Sequence, residues 1–129
     1  MALQQDYALA LPEKCTQISA VINQPNDITP LCHKIAGSSG TYGFKTLGLT
    51  ARWFEENQHS LNSSAIKRWF EFFTACCEAY SRAATVARDQ QFTATEWGKA
   101  QTRADQALLK VWQKEESALA RLCGKGAAA

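Results

Sequence analysis

The sequence predicts an all-α protein, an antiparallel four-helix bundle with an additional C-terminal helix. Three observations carry this. Apolar residues recur at steps of three and four along almost the whole chain, with no alternating pattern that would mark a strand. The three prolines all fall within the first 30 residues, which leaves roughly a hundred residues without the residue that most disfavours helix. The breaks between periodic stretches are short and rich in Asn, Ser, Gly or Pro, as befits amphipathic helices folded back on one another.

The elements follow in order. Leu11, Cys15, Ile18 and Ile22 form the stripe of a first helix from about Leu11 to Asn23, with Pro12 in its first turn. Gln24-Pro25-Asn26-Asp27 reads as a turn, and a second helix starts near Asp27 or Thr29 with Pro30 in its first turn. Gly37, Gly40 and Gly43 make the later part of this helix poor by propensity, at a cost of about 1 kcal/mol each. A third helix, roughly Gly43 to Gln58, shows Phe44, Leu47, Ala51 and Phe54 on one face. Beyond the loop Ser60 to Ser64, a long fourth helix to about Arg88 repeats Ile66, Trp69, Phe70, Phe73, Cys76, Cys77, Tyr80, Ala83, Ala84 and Ala87, a stripe wide enough to be the main packing surface. A fifth helix runs from about Thr95 to Leu122, with Trp97, Ala100, Ala104, Leu108, Val111 and Leu122 on one side and Glu115 interrupting them. The tail from Gly124 to Ala129 is expected to fray. Residues 1–92 thus form the bundle, and residues 93–129 an added helix and tail that pack on it or on a partner.

Composition removes several function classes. The chain of 129 residues, 46% hydrophobic and 20% charged, suits one soluble domain. A net charge of +2, spread as four basic against five acidic side chains in residues 1–60 and ten against seven in residues 61–129, builds no phosphate-tracking stripe, so no nucleic-acid partner is expected. The start Met-Ala-Leu-Gln-Gln has no basic cluster ahead of an apolar run, and no stretch nears the ~18 apolar residues of a membrane span. Five cysteines without a C-x-x-C spacing fit reduced, mostly buried thiols in a cytoplasmic protein.

The second helix carries the most informative segment. With Ile35 at the centre of the buried face, Ile28, Leu31, Cys32, Ser39 and Tyr42 fall within about 60° of it, and His33 lies about 160° away. Gly37 and Gly40 fall within roughly 40° of His33 on the same outward face. The helix therefore presents a histidine to solvent beside positions that lack side chains. That arrangement would let a bulky partner reach a nucleophilic ring nitrogen, and Lys34 at the flank could help hold a phosphoryl group.

The stretch His33-Lys34-Ile35-Ala36-Gly37-Ser38-Ser39-Gly40-Thr41-Tyr42-Gly43-Phe44 resembles the signature of the histidine-containing phosphotransfer (HPt) domain family. That signature has an acceptor histidine, an aliphatic residue two positions on, a glycine four on, small residues next, and a second glycine ten on. Leu47 to Glu55 also resembles the family's next helix. One departure is Ala36, where the family usually has lysine; Lys34 would supply the charge instead. The resemblance implies that His33 is the phosphoacceptor, through Nε2, with Lys34, Gly37, Gly40, Ser38 and Thr41 in support. Gly37 would give clearance, and Ser38 or Thr41 would hydrogen-bond the ring or the phosphoryl oxygens. It implies a phosphocarrier rather than an enzyme, with no cofactor or metal of its own, partnered by a response-regulator receiver domain or a hybrid sensor histidine kinase. The receiver would supply the acidic residues, the metal ion and most of the catalysis. No glycine-rich nucleotide loop is present to suggest a kinase. The starting Met favours a free-standing carrier over a piece of a hybrid kinase.

Other signals yield simpler expectations. Cys32 beside His33 invites a metal-ligand reading, but adjacent helical residues point about 100° apart and Cys32 faces inward. Cys76 and Cys77 read as small core residues rather than a redox pair, and His59 as a solvated loop residue. Trp69 and Trp97 fit core stripes, whereas Trp53 and Trp112 are less easily buried and read as candidates for a contact surface, a contact between molecules being the minority reading for Trp112. Three alternatives to phosphotransfer remain: an HPt-like docking module that carries no phosphate, an enzyme using His33 as general base, for which no carboxylate partner is evident near the motif, and a homodimer built on the C-terminal helix.

Overall fold

A computed structural model describes residues 2–123, all of whose regular structure is helical. The helices are α1 (Ala2–Leu9), α2 (Leu11–Ala20), α3 (Pro25–Tyr42), α4 (Lys45–Asn57), α5 (Ser63–Asp89) and α6 (Ala94–Leu122), with one 3₁₀ turn, Gln58–Ser60, after α4. α3 packs along α4 and α5 along α6, while α4 touches both α5 and α6. α1 and α2 lie against α5, and α1 also reaches α3. The fraying expected over residues 124–129 lies outside the described residues.

The N-terminal third departs most from expectation. α1 was not anticipated: only Ala8 of its apolar residues is fully buried, so eight residues show little periodicity. Pro12 explains why α1 and α2 are separate, since its ring would collide with the carbonyl of Ala8 in a continuous helix. α2 then ends at Ala20 rather than Asn23, in a turn where Val21 N–H bonds Ile18 O and Ile22 N–H bonds Ser19 O.

The turn expected at Gln24 to Asp27 falls earlier, at residues 21–23, and Pro25 to Asp27 are already helix. Pro25 occupies the first turn of α3, and neither Asp27 nor Thr29 caps it. Pro25, with φ preset, can start a helix without a capping side chain. Pro30 consequently sits inside the helix, where its missing N–H leaves the carbonyl of exposed Asn26 for water. The helix persists through Gly37 and Gly40 and ends at Gly43, whose φ of 86° suits only glycine without strain. There Phe44 N–H donates to Ser39 O at 2.9 Å, closing the end while the Phe44 ring enters the core.

The register of α3 against α4 is set at a close crossing. A Cβ on Gly48 would lie 3.6 Å from Ala36 O and 3.7 Å from Ser39 Cβ, so these helices approach nearly backbone to backbone. On its other side α4 buries Phe44, Leu47, Ala51 and Phe54 as the spacing predicted. α5 starts at an Asn62 cap, whose side chain accepts from Ala65 N, and Trp69 Nε1 donates to Thr50 O at 2.9 Å to tie α5 to α4. α6 starts with a capping box between Thr93 and Glu96.

α6 buries Trp97, Trp112 and Leu119 in the same core as α3, α4 and α5. This corrects the expectation for two tryptophans. Trp112 is only 3% exposed, edge-on to Trp53 at 6.3 Å and tilted on Phe72 at 5.4 Å, and Trp53 is buried with it. Its neighbour Val111, expected on the inner stripe, is the exposed one at 49%. Glu115 does not merely interrupt the stripe: it forms an ion pair with Arg68 on α5 at 2.9 Å. No described helix is long and apolar enough to cross a membrane.

Candidate functional site

His33 projects from the middle of α3 with its side chain 80% exposed. Its Nδ1 lies 2.9 Å from Oε2 of Glu55 on α4. The two residues meet because the antiparallel hairpin turns at Gly43 and Phe44, and each stands about ten residues from that turn. A carboxylate accepts from Nδ1–H, so this contact favours the tautomer whose lone pair is on Nε2. Nε2 itself has no hydrogen-bond partner among the described residues.

The space around the ring is open. A Cβ added at Gly37 or at Gly40 would meet nothing within 4 Å. His33, Ala36, Gly37, Arg52, Glu55 and Glu56 line a shallow surface depression of about 400 Å³. Of the nearby cations, exposed Arg52 on α4 lines this depression with His33, while Lys34, the next residue of α3, is exposed but does not line it.

The polar residues singled out in the sequence divide. His33, Gly37 and Gly40 share the exposed face. Ser38 does not join them: its hydroxyl donates to Lys34 O at 2.9 Å and lies 2.6 Å from the hydroxyl of Tyr7 on α1. Thr41 is exposed but donates to Gly37 O at 3.2 Å. Cys32 is buried in the core, where desolvation pushes its thiol well above the ordinary range.

Glu55 corrects the expectation that no carboxylate stands near the motif. It ends the Leu47 to Glu55 stretch of the next helix and reaches His33 only through the α3–α4 register, which neither the spacing nor the wheel of one helix reveals. Equal counting from the Gly43 turn is the signal that could have found it, and the same counting places Arg52 beside Ala36 and Gly37. No protein-family model matches the chain, and neither a curated protein nor a solved structure matches it.

A histidine so held can act as a nucleophile at Nε2 or as a base. Glu55 holds the ring at Nδ1, Gly37 leaves room beside it, and Arg52 gives the same depression a positive charge that suits an anionic group.

Proposed function

We propose that this protein is a cytoplasmic histidine phosphocarrier of the HPt type, a helical bundle that relays a phosphoryl group through His33. The observation that carries the reading is the exposed imidazole held at Nδ1 by Glu55, with Nε2 unbonded among the described residues and the bare position Gly37 in the same depression. In the transfer, the Nε2 lone pair attacks the phosphorus of an aspartyl phosphate on a receiver domain. The N–P bond forms as the P–O bond to the aspartate breaks, and the carboxylate departs with the receiver. The ring gains positive charge as this happens, and Glu55 lies where it offsets that charge. Arg52, which lines the depression, and Lys34, next to His33 in sequence, would attract the phosphoryl oxygens, a role that Ser38, committed to Tyr7, would serve less well. The acidic residues and metal ion of such a transfer belong to the receiver domain of a response regulator or hybrid sensor kinase.

A His–Glu pair would also suit a general base. The depression favours the carrier reading, because it is shallow and open to a macromolecular surface rather than closed around a small substrate.

The test is transfer of labelled phosphate from a phosphorylated receiver domain to the wild type and to His33→Gln. Acid-labile, alkali-stable label is expected on the wild type alone. Equal labelling of both proteins overturns the site. No label on either, from several receivers and with both folded, overturns phosphotransfer and leaves a docking module.

A further inference from the structure

α3 stays helical where its sequence favours helix least. Gly37 and Gly40 weaken its last third, yet the helix runs to Tyr42. A fastening comes from α1. The Tyr7 hydroxyl lies 2.6 Å from Ser38 Oγ and 3.0 Å from Ser39 Oγ, so one phenol bridges two successive residues of α3. Ser38 donates its own proton to Lys34 O, so the phenol donates to Ser38 and accepts from Ser39, whose hydroxyl is fully buried. The Tyr7 ring lies 4.9 Å from that of Tyr42 and stacks on Phe44 at 5.5 Å, the residues on either side of the Gly43 turn. Lys14 of α2 holds its ammonium 5.3 Å from the centre of the same ring. We propose that α1 is a strap, with Tyr7 as its clasp, that keeps the glycine-bearing end of α3 helical.

The use of this strap rests on the carrier reading of His33. Gly40 is one of the bare positions on the outward face that carries the histidine, and a receiver needs that face already formed when it docks. With α1 in place, the cost of ordering two glycines is met within the protein before any partner arrives. Tyr7 acts through α3 and not on the reacting atoms, so it is a positioning residue.

The effect stops short of His33. Between the clasp and the histidine lies the crossing at Gly48, where Ala36 O approaches α4, and beyond it Nδ1 of His33 is held by Glu55. Releasing α1 loosens residues 38–42 and leaves the reacting ring in place. A receiver that docks on the helical form then finds fewer competent molecules. Its apparent affinity falls by that fraction, while the chemical step at saturation is unchanged.

The experiment compares the full chain with Tyr7→Ala, which removes ring and hydroxyl, and with Tyr7→Phe, which removes the hydroxyl alone. Helix population is read residue by residue from Cα chemical shifts. In Tyr7→Ala the helical shifts of Gly40 to Tyr42 should fall by about two thirds, with those of α4 and α5 unchanged, and the receiver concentration for half-maximal labelling of His33 should rise about threefold at an unchanged saturating rate. Tyr7→Phe should show a smaller fall at the same residues, and it decides the matter if Tyr7→Ala does not fold. Full helical shifts at residues 40–42 in the folded variants overturn the strap, and so does a fall spread equally over the helices. Loss of helix with no change in the half-maximal concentration, or with a slower saturating rate, overturns the positioning role. The shifts need no phosphate, so a wild type that takes no label overturns the carrier reading and leaves the strap to be judged by them.

Discussion

Glu55 and Asp105 both take hydrogen bonds from neighbouring helices, in opposite settings. Glu55 on α4 receives the Nδ1 of His33, at the surface and beside open space. Asp105 on α6 is 9% exposed and receives two groups from two helices: the Thr46 N–H of α4 at 2.9 Å and the hydroxyl of Tyr80 on α5. Thr46 Oγ1 returns a bond to the Asp105 carbonyl at 3.1 Å. The residue preceding α4, Phe44, offers no side-chain cap, so Asp105 supplies from a distant helix what the local sequence lacks. The same acceptor chemistry fixes the fold where both partners are buried, and orients a reactive group where its partner keeps one nitrogen free.

That contrast predicts its largest effect at Asp105. Asp105→Ala leaves a buried N–H and a buried hydroxyl without an acceptor, at a cost of about 3 kcal/mol, read from urea unfolding. Labelling of His33 in the fraction that remains folded should be unchanged. A loss below about 1 kcal/mol would show that water replaces the carboxyl and that the cluster is no clamp.

The two sites also differ in how much of them the sequence revealed. The stripe of α5 was legible because 27 residues repeat one phase, and a long wide stripe has one way to be buried. His33 was legible for the same reason in reverse: Ile28, Cys32, Ile35 and Ser39 define the inward side of α3, and all four are buried. Asp105 was not, since one acidic residue on an amphipathic helix reads as solvated until a distant helix end is known to need it. Glu55 was quoted in the motif's second helix without a role, because its contact depends on how two helices align. Trp112 was misplaced because its partners Trp53 and Phe72 sit on two other helices, and only their convergence makes an inward position there. Periodicity reports which face of a helix is buried; it does not report what another helix brings to that face.

A second, smaller effect lies in alkali. Burial, and then the hydrogen bond to Asp105, push the Tyr80 phenol well above its ordinary value. Above about pH 10 an unfolded tyrosine ionises while the native one keeps its proton, so the native state binds more protons and stability falls as pH rises. Burial pushes the thiols of Cys32 and Cys76 up, and the neighbouring Cys15 thiol, then burial, does the same to Cys77, so these act in the same direction from about pH 8.5. The urea midpoint should therefore drop between pH 7 and pH 10.5, and drop less in Tyr80→Phe. That variant should cost about 1 kcal/mol at pH 7, the worth of one hydrogen bond. Equal drops in both proteins would place the alkaline loss on the thiols alone and separate Tyr80 from the clamp.

The smallest effect on stability, and the sharpest on chemistry, is expected at Glu55. Its partner is mostly exposed, and such pairs contribute at most about 1 kcal/mol. Glu55→Gln should thus leave the urea midpoint close to wild type. The amide oxygen can still accept from Nδ1–H, so ring orientation is largely kept while the negative charge is removed. Phosphorylation of His33 would place positive charge on the ring, and Glu55 is the carboxylate in contact with it, with Glu56 of α4 elsewhere in the depression. The rate of label transfer to the variant should fall about tenfold, the low end of the loss seen when the carboxylate partners of metal-ligating histidines are altered. The exposed ion pair of Arg68 with Glu115 is the internal control, since Glu115→Gln removes a comparable surface charge far from His33 and should leave the rate unchanged. If both substitutions leave transfer untouched, Glu55 is one more surface pair, and the imidazole reacts without help from α4. If only Glu55→Gln slows it, the carboxyl at the surface guides the reacting ring just as the buried one guides the fold.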